Sequence, residues 1–82
     1  MWHVYILVSE KDKRTYTGST NDLIRRVIQH NNGEVTSTKH RRPLKLLLTE
    51  ACVGEKEARD KERYYKTAAG RRKLKEIIEN IM

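Results

Sequence analysis

Val4-Tyr5-Ile6-Leu7-Val8, Glu10-Lys11-Asp12-Lys13-Arg14 and Thr15-Tyr16-Thr17-Gly18 form the stretch on which the fold turns. The first run is β-branched, aliphatic and aromatic, the second is a charged interruption, and the third returns to strand formers. Together they predict a β-hairpin. Gly18 ends the second strand at a place suited to positive φ or to close approach of another group to the backbone.

Beyond the hairpin, Ser19-Thr20-Asn21-Asp22 offers side chains able to cap a helix. Leu23, Ile24, Val27 and Ile28 follow at a spacing that draws one apolar stripe. Asn31-Asn32-Gly33 stops that helix. Residues 34 to 43 supply Thr, Ser and the basic run Lys39-His40-Arg41-Arg42 before Pro43, and Leu44 to Leu48 resume as a third, buried strand. Gly54 opens a second helix carrying Ala58, Glu62 and Tyr65. A break near Ala69-Gly70 separates it from a third helix with Leu74, Ile77, Ile78 and Ile81 at i, i+3, i+4 and i+7. The order is ββαβαα, an α+β fold in which helices flank a three-stranded antiparallel sheet.

With 82 residues the chain has material for one core, so residues 1–82 are expected to form one domain without a separate recognition module. Hydrophobic residues make up 37% and charged residues 35%, a balance that suits a folded chain better than a disordered tail. Eighteen Lys and Arg against eleven Asp and Glu leave a net charge of +7. Such an excess favours polyanions such as nucleic acid, or anionic lipid, although it also serves solubility. Cys52 is the one cysteine and stands between Ala51 and Val53, so it is expected to be a buried, inert thiol in a reducing compartment. The start, Met1-Trp2-His3, carries no leader, and no apolar run approaches the ~20 residues of a membrane span. A cytoplasmic, non-membrane location is the expectation.

No P-loop, paired-cysteine zinc site or GxSxG elbow occurs, which removes several enzyme classes. The candidates are Tyr5, Tyr16, Arg26, His30 and Glu62, and each has a plain structural reading. A chain without phenylalanine needs its tyrosines for packing. Arg25-Arg26 reads as a solvated helix face, and Glu62 sits in a charge-rich run where salt bridges are the usual fate of a carboxylate. Against this, Tyr5 and Tyr16 can face one cleft from adjacent strands if the register allows. Arg26 and His30, at i and i+4, share a side able to hold phosphate. Separately, Lys39, His40, Arg41, Arg42, Arg71, Arg72 and Lys73 can form a phosphate-tracking surface without any catalysis. A further alternative addresses the basic surface to an acidic protein, with the third helix's stripe completing an interface. Spacing alone stops at a basic α+β domain.

The ordered set Val4-Tyr5-Ile6, Tyr16-Thr17-Gly18, Ser19 to Arg26 and Gln29-His30-Asn31 resembles the GIY-YIG endonuclease superfamily. The segment Glu55 to Tyr65, with Ala58 four residues before Glu62, is similar to that family's metal-binding helix. Lys39 to Pro43 resembles a loop of its small single-domain members. Val4 stands where the first motif has glycine and Thr17 where the second has isoleucine, while both tyrosines and Gly18 are kept. The resemblance implies metal-dependent cleavage of a phosphodiester. Tyr5 would activate the attacking water, Tyr16 would assist, and Arg26 would hold the scissile phosphate. His30 would bond a tyrosine or a phosphate oxygen, and Glu62 would bind one divalent ion, Mg²⁺ or Mn²⁺, weakly without substrate. The implied substrate is nucleic acid, with DNA the expectation and RNA left open, cut with low sequence specificity in repair or recombination, with a protein partner supplying recognition. The alternative is a catalytically weak or inactive nucleic-acid-binding module.

Overall fold

The computed structural model describes residues 1–81, with side chains through Asn80. The elements are β1 (Trp2–Ser9), β2 (Thr15–Thr20), α1 (Leu23–Asn31), a 3-10 turn at Lys39–Arg41, β3 (Leu44–Cys52), α2 (Glu55–Tyr65) and α3 (Ala68–Ile81). The expected order ββαβαα and α+β class are what the chain adopts. The sheet is antiparallel with order β2-β1-β3, so the first strand is central. Its residues Val4 to Ser9 are all buried, because helices cover both faces of the strand. That double cover is why Val4 to Val8 reads as a continuous apolar run where a half-buried strand would alternate.

Alternation along β1 divides the core into two layers. Val4 and Ile6 pack with Tyr65 of α2 and Leu74 of α3, joined by Leu47, Leu48 and Ile77. Tyr5 and Leu7 face the other way with Leu44, joined by Tyr16 and by Leu23 and Val27 of α1. At the hairpin tip the buried Ser9 hydroxyl accepts the N–H groups of Lys11 and Asp12 at 3.1 and 3.2 Å and donates to the Arg41 carbonyl at 2.6 Å. The basic turn is thereby fastened to the hairpin.

Three expectations are corrected. The third strand runs to Cys52, four residues beyond Leu48, because Thr49 to Cys52 continue the ladder with Trp2 to Tyr5 across a bulge between Ile6 and Leu7. Cys52 therefore lies in a strand, and it is buried and free. On α1 only Leu23 and Val27 join the core, while Ile24 and Ile28 stand 76% and 53% exposed. The helix turns half of its apolar stripe away from the sheet. The break between the last two helices falls at Lys66 and Thr67 and not at Ala69-Gly70, because the Thr67 hydroxyl accepts the Gly70 N–H at 3.2 Å and so caps α3. Leu74 is buried and Ile77 and Ile78 are half-buried, as an intramolecular core stripe requires. The side chain of Ile81 lies outside the described residues.

Gly70 sits inside α3, where glycine ordinarily costs about 1 kcal/mol against alanine. Here a Cβ would lie 2.6 Å from the Cα of Tyr65. The expected sign therefore reverses: Gly70→Ala should destabilise by about 1–3 kcal/mol through overpacking. Urea denaturation measures it, and an unchanged or raised midpoint would show that the two helices separate at no cost.

Candidate active site

The register of the hairpin decides where the tyrosines go. Tyr5 pairs with Gly18 and Leu7 with Tyr16, so both phenols stand on the sheet face covered by α1. Their ring centroids are 6.4 Å apart. Gly18 leaves room for this: a Cβ there would lie 2.5 Å from the Tyr5 hydroxyl oxygen. The positive φ allowed for in the sequence is not what the position needs; the close approach is.

Helix α1 delivers two more of the expected residues to the same point. His30 Nε2 lies 2.9 Å from the Tyr5 hydroxyl, and Arg26 Nε donates to that oxygen at 3.4 Å. The imidazole is fully buried, with the Tyr16 ring 5.0 Å and the Tyr5 ring 5.6 Å away, centroid to centroid. Its other nitrogen, Nδ1, is 2.8 Å from the hydroxyl of Thr38, which is also fully buried. Gln29 accepts from Arg26 Nη1 at 3.1 Å and steadies the guanidinium.

Burial pushes the Tyr5 phenol above its ordinary range, against the lowering effect of the Arg26 hydrogen bond and with smaller upward pushes from Tyr16 and Glu62. Tyr5 is thus a neutral phenol in the free protein. Burial, and then the positive charge of Arg26, lower His30 to about 4, so it is neutral too. Arg26 is held more firmly protonated by its bond to Tyr5.

Glu62 arrives from the other layer. It lies on α2, one turn before Tyr65, and so on the helix that covers the Val4 and Ile6 face of the sheet. Its carboxylate reaches the edge strand, where Oε1 accepts from the Ser19 hydroxyl at 2.7 Å and Oε2 from Lys66 Nζ at 2.9 Å. Burial raises this carboxyl, but the Lys66 and Ser19 hydrogen bonds outweigh it and hold it below the usual range, hence ionised. Four of the five expected residues therefore form one contact network, and the fifth stands across the β2 edge. Ser19 is the link, since it also lines a pocket of about 300 Å³ with Arg25 and Arg26.

Comparison with known proteins gives the family. The family description "GIY-YIG catalytic domain" matches residues 1–75. The chain belongs to the GIY-YIG family. It is 41% identical over 76 residues to the UPF0213 protein YazA of Bacillus subtilis, covering 92% of this chain and 75% of that one. It is 40% identical over 78 residues to the UPF0213 protein SSP2268 of Staphylococcus saprophyticus, covering 94% and 95%. The solution NMR structure of the UPF0213 protein BH0048 from Bacillus halodurans superposes with a TM-score of 0.55 at 33% identity, covering 94% of this chain and 85% of that one.

GIY-YIG domains are nucleases that work with a divalent metal, and the donor set here can be tested for one. Among the described residues no three His, Cys, Asp or Glu side chains cluster, so a zinc-type cage is absent. A Mg²⁺-type ion needs less: one or two carboxylates, waters and a substrate phosphate. The ionised Glu62 fits that role, and it already draws a cation, Lys66, to one oxygen. No helix among the described residues is long and apolar enough to cross a membrane.

The two basic clusters singled out in the sequence meet only in part. Arg41 and Arg71 line one groove of about 870 Å³, together with Tyr16 and with Arg14, Lys66 and Lys75, which spacing did not single out. Lys39, His40, Arg42 and Arg72 are exposed outside it. Arg42 turns back to donate to the Lys39 carbonyl at 2.8 Å. Thr38 was also missed, because a threonine in the polar run Thr36-Ser37-Thr38 carries no signal of burial.

A buried neutral histidine makes stability depend on pH. The unfolded chain takes up a proton near pH ~6.5, the folded chain only near about 4, so stability is full above that upper value and falls as pH drops through the window. The lowered carboxyls of Asp12, Glu50 and Glu62 act only below their ordinary range, so pH 6.5 to 5 isolates His30. The loss by pH 5 should be about 2 kcal/mol and should shrink in His30→Gln. Urea midpoints of both proteins at the two pH values check it; equal slopes would refute the assignment.

Proposed function

We propose that the protein is a divalent-metal-dependent endonuclease that cuts phosphodiester bonds of DNA with low sequence specificity, in repair or recombination. Residues 1–82 act in this reading as one GIY-YIG nuclease domain, and a protein partner selects the target. The observation that carries it is the pairing of Tyr5 with Arg26 and His30, with Ser19 joining the Arg26 pocket to the Glu62 carboxylate.

Tyr5 offers its hydroxyl oxygen to the attacking water, and Tyr16 and His30 wall off the inner side. Arg26 spreads its guanidinium toward the phosphate, where a planar donor fork stabilises the charge that grows in the transition state. Glu62 holds the ion, Mg²⁺ or Mn²⁺, which supplies Lewis-acid charge to the phosphate oxygens when bound. Because Tyr5 is a neutral phenol in the free protein, it takes the water's proton only as its own passes to His30 Nε2, 2.9 Å away. The groove beside Tyr16, rimmed by Arg14, Arg41, Lys66, Arg71 and Lys75, carries the strand away from the site. Contacts of this kind address phosphates and contain no base information, which supports low specificity.

Labelled duplexes, flaps and single strands of DNA, with RNA alongside, should yield products with Mg²⁺ or Mn²⁺ and none after chelation. Arg26→Ala and Glu62→Ala should each reduce turnover by at least about a hundredfold with an unchanged circular dichroism spectrum. Turnover retained in either variant would overturn the roles. Salt-sensitive binding without products, in the wild type, would leave the binding module in place of the enzyme. Arg71→Ala with Lys75→Ala should weaken binding of every sequence alike and lower the salt slope by roughly two.

A further inference from the structure

Two buried side chains, His30 and Thr38, stand in line behind the Tyr5 hydroxyl. Thr38 and His30 are both fully buried, and Thr38 lies outside every motif that identified the site. The four groups form a chain: Arg26 Nε to the Tyr5 oxygen at 3.4 Å, Tyr5 to His30 Nε2 at 2.9 Å, His30 Nδ1 to Thr38 Oγ1 at 2.8 Å, and Thr38 Oγ1 to the Val35 carbonyl at 3.5 Å.

The Val35 end of this chain sets its direction, because a carbonyl oxygen can only accept. Thr38 has one hydroxyl proton and gives it to Val35, so toward His30 it accepts; Arg26 donates to the Tyr5 oxygen in either tautomer. Tyr5 O–H donates to Nε2, and Nδ1–H donates to Thr38. We infer that Thr38 is a positioning residue: its hydroxyl accepts the Nδ1–H of His30, holds the neutral imidazole in that tautomer, and so turns the Tyr5 proton inward.

The rings cannot easily escape the arrangement. Tyr16 and Tyr5 stand at 59° and 67° to the imidazole plane on its flanks. The consequence lies at the Tyr5 oxygen. With its proton committed to His30, the oxygen keeps its lone pairs for Arg26 and for a water admitted on the side of the pocket that Arg26 lines, which it meets as an acceptor. In the opposite tautomer Nε2–H would occupy that oxygen and send the phenol proton outward, and Tyr5 would meet the water as a donor. Which nitrogen carries the proton is set by the bond the other nitrogen makes.

The effect on cleavage rests on the proposed nuclease reading, but the tautomer does not, and the test separates them. Long-range ¹H–¹⁵N correlation spectra of the folded protein at neutral pH should place the His30 proton on Nδ1, with Nε2 at the shift of a bare, accepting nitrogen. A proton found on Nε2 in the wild type overturns the proposal. Thr38→Ser, which keeps the hydroxyl, should keep the pattern; Thr38→Val should move the proton to Nε2 or mix the two forms. A Val variant with the wild-type pattern overturns it as well. Should the Val variant fail to fold, the wild-type and Ser spectra decide alone. Where the wild type cleaves DNA, Thr38→Val should lower kcat about ten- to a hundredfold with KM little changed, and Thr38→Ser should restore it. If the wild type does not cleave, the nuclease reading fails while the nitrogen shifts still decide the tautomer.

Discussion

A hydroxyl buried in the central strand of a sheet must find a partner, and the Tyr5 hydroxyl finds two. Tyr5 is 1% exposed, and an unpaired polar group at that depth costs about 1–3 kcal/mol. The neighbouring elements answer to that requirement. Gly18 gives up its side chain so that the ring can lie over β2, and α1 turns Arg26 and His30 inward. His30 then brings its own demand, a partner for Nδ1, which Thr38 meets. A row of buried polar groups in so small a core is stable only because each is satisfied by the next. The same row is the candidate site, so the packing of this layer and its chemistry are one arrangement.

The charges are distributed with a matching logic. Arg26 stands against a neutral phenol and a neutral imidazole, and among the described residues it forms no salt bridge. The candidate anion, Glu62, is kept across the β2 edge and held ionised by Lys66 and Ser19. Its field raises the Tyr5 phenol, as any carboxylate would. Separation therefore leaves a cation on one layer and an anion on the other, with Ser19 bonded to Glu62 and lining the pocket of Arg26.

The sequence displays the hairpin, the helix starts and the central strand's continuous apolar run because each has a local cause. It also displays Tyr5, Tyr16, Arg26 and His30 as an ordered set, although whether the phenols share a face depends on a pairing that only the folded hairpin settles. What spacing does not display is distance through the core. Thr38 looks like any loop threonine, Thr67 like any linker residue, and Ile24 like core, because each owes its place to what covers it. The basic residues show the same limit. Arg14 and Lys75 stand far apart in the chain and reach one groove only through the docking of α3 against the hairpin.

The edges of the sheet explain why the site lies where it does. A side chain on α2 cannot reach the α1 layer through β1, which is buried on both faces, so it must come round an edge. One edge is β3, and at its start Asn31 of α1 takes both backbone groups of Leu44, accepting its N–H at 3.0 Å and donating to its carbonyl at 3.1 Å. On this layer the β3 side is also closed off by Leu44 packing on Tyr5 and Leu7. The other edge is β2, six residues long, with the Tyr5 ring lying against Gly18 and Ser19 directed to Glu62. Ser19 on that short strand is where the two layers meet, since its hydroxyl bonds Glu62 and it lines the pocket of Arg25 and Arg26. A three-stranded sheet with its first strand in the middle thus brings the carboxylate of one layer toward the guanidinium of the other around the shorter of its two edge strands.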